Sequence, residues 1–399
     1  MNERETAVIF GAGSVGRGFL GQLLTESGYA VAFVDVDQAI VAALTRQGGY
    51  RLRLVEGERT EELIIGPARA ISAREVDAVA RAVADAPLLA TAVGARVLPE
   101  LAGAIAAGLV RRWQTGQSAP QNIILCENLH DAAQRLRDAI RQALPDAWKS
   151  HLDERVGFVP AVIARMSPVP TAGQRAADPT LIIAEPYKVL PVDRDSFIGP
   201  IPNIVGMEPV SPFDAYVDRK LYIHNAGHAM LGYLGYRRGY AYGYEAIADE
   251  RILALVKQAL SEAGRGLMAQ HGFDPPAMQS HIEDLLRRFA NQALADPISR
   301  LARDPLRKLA PGDRLVGAAR LAERHRILPE GLAWGIAAGL AYDSAEDIHA
   351  QELQSQMSRQ GLSGVLQSVC GIACRELLGD LVRRGYHELF TDSYWLKRQ

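Results

Sequence analysis

A glycine-spaced turn near the start of the chain limits what it can fold into more than any other feature. Gly11-Ala12-Gly13-Ser14-Val15-Gly16 follows the apolar run Ala7-Val8-Ile9-Phe10 and opens an amphipathic stretch, Gly18 to Ser27. Alone, Gly-x-Gly-x-x-Gly is a weak signal. Between a strand-like run and a helix it has a physical reading. The first glycine permits a tight turn, the second lets a diphosphate approach the backbone, and the third lets helix pack on strand. The diphosphate then rests at the positive end of the helix, on its free N–H groups.

The next apolar run, Ala30 to Val34, ends at Asp35, nineteen residues after Gly16. A carboxylate there accepts hydrogen bonds from the ribose 2′- and 3′-hydroxyls of an adenosine and repels a 2′-phosphate, which favours NAD over NADP. Further runs, Pro87 to Val93 and Asn122 to Cys126, alternate with helical patterns and imply a parallel, doubly wound sheet. The small turn Thr91-Ala92-Val93-Gly94 would let the cofactor lie across the strand ends. The expected cofactor set is therefore Gly11, Gly13, Ser14, Val15, Gly16, Asp35, Thr91, Val93 and Gly94. Tyr50 to Ile65 reads as a polar-faced hairpin inserted into this plan.

From about Pro212 the pattern changes. Apolar residues recur at three and four positions through 248–270, 278–295, 315–324, 331–343 and 368–384, which is helical periodicity. The proline- and glycine-rich segment 193–212 looks like a connection. The expected fold class is α/β: a Rossmann-like doubly wound sheet over 1–195, followed by a mostly α-helical domain over 196–399.

A formal net charge of −2 carries no polyelectrolyte signature and argues against a nucleic-acid partner. No signal peptide and no stretch of about 18 apolar residues appears, so a cytoplasmic protein without membrane attachment is expected. Cys126, Cys370 and Cys374 are too few and odd in number for a disulfide framework and read as buried thiols. With no His-Glu-x-x-His and no Cys/His cluster, no metal site is expected. The expected partner is a small molecule, bound by a monomer or small homo-oligomer.

Dehydrogenation of an alcohol needs a base for the hydroxyl proton and donors for the developing oxyanion. The segment Arg219-Lys220-Leu221-Tyr222-Ile223-His224-Asn225-Ala226-Gly227-His228 offers both. At 100° per residue, His228 and Asn225 fall about 80° and 140° from Lys220, on one side of a helix. Lys220 can act as base if burial lowers its pKa, Asn225 can donate to the oxyanion, and His228 can orient substrate or lysine. A solvated lysine, a helix-interior asparagine and a structural histidine would give the same pattern.

Lys-x4-Asn-x2-His resembles the signature of the polyol-specific long-chain dehydrogenases, the mannitol dehydrogenase family. Other stretches are similar to its branch acting on hexitol phosphates. They are Phe10 to Phe19, Thr91 to Gly94, Cys126-Glu-Asn-Leu129, Val156-Gly-Phe-Val159, Pro202 to Met207, Pro305-Leu-Arg-Lys-Leu309 and Gly312-Asp-Arg-Leu315. The similarity runs from residue 7 to about 350. It implies a zinc-free mechanism with Lys220 as general base, Asn225 and Asn128 as the oxyanion pair, and His228 on the substrate. It further implies NAD-dependent interconversion of a polyol or polyol phosphate and its ketose, with mannitol 1-phosphate and fructose 6-phosphate as the leading pair. Arg165, and the basic pair Arg307 and Lys308, are the expected substrate contacts. The family commonly carries Asp-Arg where this chain has Ala164-Arg165, so one carboxylate that would bind a sugar hydroxyl is missing. Unphosphorylated polyols and sugar acids remain alternative substrates. A 3-hydroxyacid dehydrogenase would space Lys and Asn four apart and leave His228 without a role. An NAD-sensing regulator would bind cofactor without turnover.

Overall fold

The computed structural model describes residues 4–395 apart from His130, Val169 and Cys374, so one of the three thiols lies outside the described residues. The chain forms two units, Met1–Asp214 and Ala215–Gln399.

In the first unit, strands β1 (Thr6–Phe10), β2 (Ala30–Asp35), β3 (Tyr50–Glu56), β4 (Arg59–Ile65), β5 (Ala68–Ser72), β6 (Leu88–Thr91), β7 (Gln121–Leu125) and β8 (Val156–Pro160) occur in chain order. Six of them build one sheet in the order β5-β2-β1-β6-β7-β8, with every pairing parallel. That order reverses at β1, so the strand ends beside the glycine turn face a topological switch point. Successive side chains alternate faces. Ala7 and Ile9 pack with Phe33, Ile124 and Val159 on one side. Val8 and Phe10 pack with Ala32, Val34 and Leu89 on the other. A sheet buried on both faces explains why its strands read as unbroken apolar runs.

The inserted hairpin is present: β3 and β4 pair antiparallel from Tyr50↔Ile65 to Glu56↔Arg59. Its third strand was not legible in the sequence. β9 (Ile182–Ala184) adds in parallel to β3. The expected domain boundary at 195 is corrected by two short strands, β10 (Leu190–Asp193) and β11 (Met207–Val210), which pair in parallel. Their pairing ties the supposed connection into the first unit.

The second unit is helical. Its main helices are Ala226–Arg238, Glu250–His271, Pro275–Phe289, Val316–Arg324, Glu330–Leu340, Ile348–Ser368 and Leu377–Thr391. Buried Glu262 accepts hydrogen bonds from the N–H groups of Gly331 (2.9 Å) and Leu332 (3.1 Å). It thereby caps Glu330–Leu340 from a neighbouring helix. The expected helix over 368–384 starts later, at Leu377. Ile348–Ser368, broken by non-helical backbone at Gly361, was not anticipated. Among the described residues, no helix is long and apolar enough to cross a membrane.

Candidate active site

Each glycine of the turn is required for a separate reason. Gly11 sits at φ +99°, and a Cβ there would overlap the Ala92 carbonyl oxygen. At Gly16 a Cβ would overlap the Gly11 carbonyl oxygen, so helix and strand could not approach. A Cβ at Gly13 would meet nothing within 4 Å among the described residues, which leaves an open side to the turn for a ligand. Both polar groups of Ala12 are committed: its N–H donates to Asp35 Oδ2 (2.6 Å) and its carbonyl accepts from Arg17 Nε (2.5 Å). The open Gly13 side, the helix start and the carboxylate at the end of β2 fit a dinucleotide.

On the adjoining strand, the Thr91 hydroxyl is buried without a hydrogen-bond partner among the described residues, and Thr91 is itself fully buried. Beyond it, the N–H groups of Val93 and Gly94 donate to Glu127 Oε1 (2.9 Å) and Oε2 (2.7 Å). Sequence reasoning quoted Glu127 in a motif but assigned it no task. This buried carboxylate clamps the Val93-Gly94 turn to the segment carrying Asn128, which is exposed just past β7.

In the second unit the backbone departs from expectation. Lys220–Asn225 is a π-helical turn, in which the N–H of Ala226 reaches back five residues to the Leu221 carbonyl. The angles from an ideal α-helix therefore do not hold. With i→i+5 bonding, residues five apart come one above the other, so Lys220 and Asn225 share a face more closely than 140° implies. His228 lies beyond it on Ala226–Arg238 and packs against the Phe289 ring at 4.3 Å and the His224 ring at 4.6 Å.

Electrostatics sharpen the lysine. Burial, then the Arg314 and Arg307 guanidiniums, hold the Lys220 amine at a pKa of about 8, with Asp313 opposing. Burial first, and neighbouring cations after it, push His224 and His228 well below the usual imidazole range. A neutral His228 can both donate and accept.

The remaining expected contacts sit differently from one another. Arg307 is half-exposed and already paired with Asp304 (2.7 Å) and Asp313 (3.8 Å). Lys308 is buried, donates to the Leu301 carbonyl oxygen, and is brought by burial and by Arg314 to a pKa of about 7. Arg165, expected at the substrate, is buried within the first unit. It donates to the Glu185 carbonyl (2.6 Å), the Gly18 carbonyl (2.9 Å) and Gln22 Oε1 (2.8 Å). These bonds make it a brace of the glycine-rich helix.

A parallel sheet carrying a dinucleotide turn, joined to a helical unit with a buried lysine of lowered pKa, defines a dehydrogenase of the Rossmann class. The chain belongs to the mannitol dehydrogenase family: residues 5–206 match the family's Rossmann domain and residues 212–368 its C-terminal domain. It is 39% identical over 377 residues to a mannitol-1-phosphate 5-dehydrogenase of Brevibacillus brevis, covering 94% of this chain and 96% of that one. A relative of the same name from Geobacillus thermodenitrificans is 39% identical over 388 residues, covering 96% and 98%. Among solved structures, a substrate-free D-sorbitol dehydrogenase superposes with a TM-score of 0.81 at 18% identity, covering 98% of this chain and 94% of that one. The Pseudomonas fluorescens mannitol 2-dehydrogenase complex with NAD and D-mannitol gives 0.73 at 18% identity, covering 98% and 93%. Both structures share the fold.

Proposed function

We propose that the protein is an NAD-dependent, metal-independent dehydrogenase of the cytoplasm that interconverts mannitol 1-phosphate and fructose 6-phosphate. The observation that carries the chemistry is the Lys220 amine, held by burial at a pKa of about 8 on a π-turn shared with Asn225. The substrate reading is supported by near-full-length identity to relatives named for that activity.

Gly11, Gly13, Ser14, Val15 and Gly16 would hold the diphosphate and Asp35 the adenosine ribose, with Thr91, Val93 and Gly94 lining the way toward the nicotinamide. The bound nicotinamide supplies a hydride acceptor. Neutral Lys220 Nζ takes the proton of the reacting hydroxyl as the carbonyl forms. Asn225 donates an amide N–H to the oxygen as negative charge develops on it, and the family resemblance assigns a second such donation to Asn128. His228 orients the hydroxyl. In the reverse direction the Lys220 ammonium returns the proton.

The test compares kcat/KM for mannitol 1-phosphate and mannitol, in wild type and in Arg307→Ala. Wild type should prefer the phosphate ester by about 10²-fold, the scale of a charge-assisted grip on an anion. If Arg307 releases its aspartates to hold the phosphate, the variant loses that preference and, at pH well above the Lys220 pKa, keeps its poor rate on mannitol. Equal wild-type activity on both substrates would overturn the phosphorylated substrate. An unchanged preference in the variant would move the phosphate away from Arg307.

A further inference from the structure

The glycine-rich helix does not begin as an α-helix. Gly16–Leu20 is a π-turn, in which Leu20 N–H donates to the Val15 carbonyl (3.1 Å) and Gly21 N–H to the Gly16 carbonyl, each five residues back. A π-turn is rare and displaces carbonyls from ordinary helical partners. Here two of those carbonyls have outside donors. The Tyr50 hydroxyl, from the first residue of β3, donates to the Arg17 carbonyl at 2.5 Å. Arg165 donates to the Gly18 carbonyl. The approach is close enough that a Cβ on Gly21 would overlap the Tyr50 hydroxyl, and one on Gly18 would come within 2.8 Å of Ile182 on β9.

Arg17 carries the contact onward to the ligand turn. Its buried side chain folds back so that Nε donates to the Ala12 carbonyl and a terminal nitrogen donates to the Thr180 carbonyl (2.6 Å). Thr180 is in turn held by its hydroxyl to Gln47 Oε1 (2.9 Å) and Asp178 Oδ1 (2.7 Å). The Ala12 peptide groups are thus pinned from both sides, by Asp35 and by Arg17, immediately before Gly13.

We propose that the three-stranded insert β4-β3-β9 is a buttress that presets the diphosphate-binding turn, with Tyr50 and Arg17 as its positioning residues. This rests on the reading that the turn binds NAD. Preorganisation removes an ordering cost from binding, so it should appear in affinity for any ligand carrying the diphosphate.

Tyr50→Phe removes the hydroxyl alone. Titrations with NADH and with ADP-ribose should both weaken about ten-fold, the scale of one buried carbonyl left unmet. The KM for mannitol 1-phosphate and the kcat at saturating NAD should hold. In cofactor-free protein, amide exchange across residues 11–20 should quicken while the strands of the main sheet keep their protection. Arg17→Lys, which keeps a donor, should lose less affinity than Arg17→Met. Wild-type affinity for both ligands in folded Tyr50→Phe would overturn the buttress, as would unaltered exchange over the turn. Failure of the wild type to bind NADH would overturn the cofactor reading itself, a separate result.

Discussion

At the residue scale, Lys220 and Asp35 each predict a measurable outcome. Lys220 has its pKa lowered from 10.5 to about 8 by burial and then by Arg314 and Arg307. Only the neutral amine accepts a proton, so kcat/KM for oxidation should rise with pH through about 8 and level above it. Reduction needs the ammonium and should fall over the same range. Arg314→Gln removes one of the opposing cations and leaves Asp313 without its 2.7 Å partner, so both limbs should move to higher pH. Lys220→Ala should lower oxidation about 10²–10⁴-fold, the usual loss of a general base, while NADH titration stays as in wild type. Asp35 has two tasks, since it holds the Ala12 N–H as well as facing the expected ribose. Asp35→Ala should therefore weaken NADH binding by about 1–3 kcal/mol without becoming a good NADP enzyme, a comparison of two Kd values.

At the scale of elements, the glycine turn predicts a separation between folding and binding. Gly16→Ala forces a methyl group onto the Gly11 carbonyl, so the thermal midpoint should fall, with about 1–3 kcal/mol lost to overpacking. Gly13→Ala meets nothing within 4 Å among the described residues and should melt as wild type while losing NADH affinity. The strands and the hairpin were legible because burial on both faces, or on one, writes itself into the order of apolar residues. The π-turns at Gly16–Leu20 and Lys220–Asn225 were not, because one extra residue per turn leaves no compositional mark. Glu127 and Arg17 were missed for a related reason. Their partners are backbone groups, which every residue possesses, so sequence pattern does not point to them. Strands as short as β9 and β11, of three and four residues, fall below the length at which alternation speaks, and the domain boundary was misplaced with them.

For the whole molecule, the buried basic groups of the helical unit predict a preference for neutral over acid solution. His224, His228 and His281 all have their pKa depressed by burial first, His281 to about 3 with Arg219 and Arg288 contributing. In each case the folded state favours the neutral ring. That stability is fully present above the unfolded pKa of about 6.5 and drains away as pH falls toward the folded values. Thermal unfolding should show a lower midpoint at pH 5.5 than at pH 7.5, and His281→Leu should flatten the difference if the variant folds. A midpoint independent of pH over that interval would mean that the imidazoles titrate normally.

The π-turn at Lys220–Asn225 also sets a phase. One residue more than an α-helical turn needs is stored between Arg219 and Ala226, like a leap day that keeps two calendars aligned. Deleting Leu221 would let the segment relax to ordinary helix without disturbing the buried face of Ala226–Arg238. The flanking residues would keep their phase, because the deleted residue is the one that the wider turn had absorbed. Lys220 and Asn225 would then stand four apart on a regular helix, about 40° from one another and still on one face. A protein so shortened should fold and retain measurable turnover, whereas a residue deleted from the regular helix that follows would turn everything upstream by about 100° and abolish it.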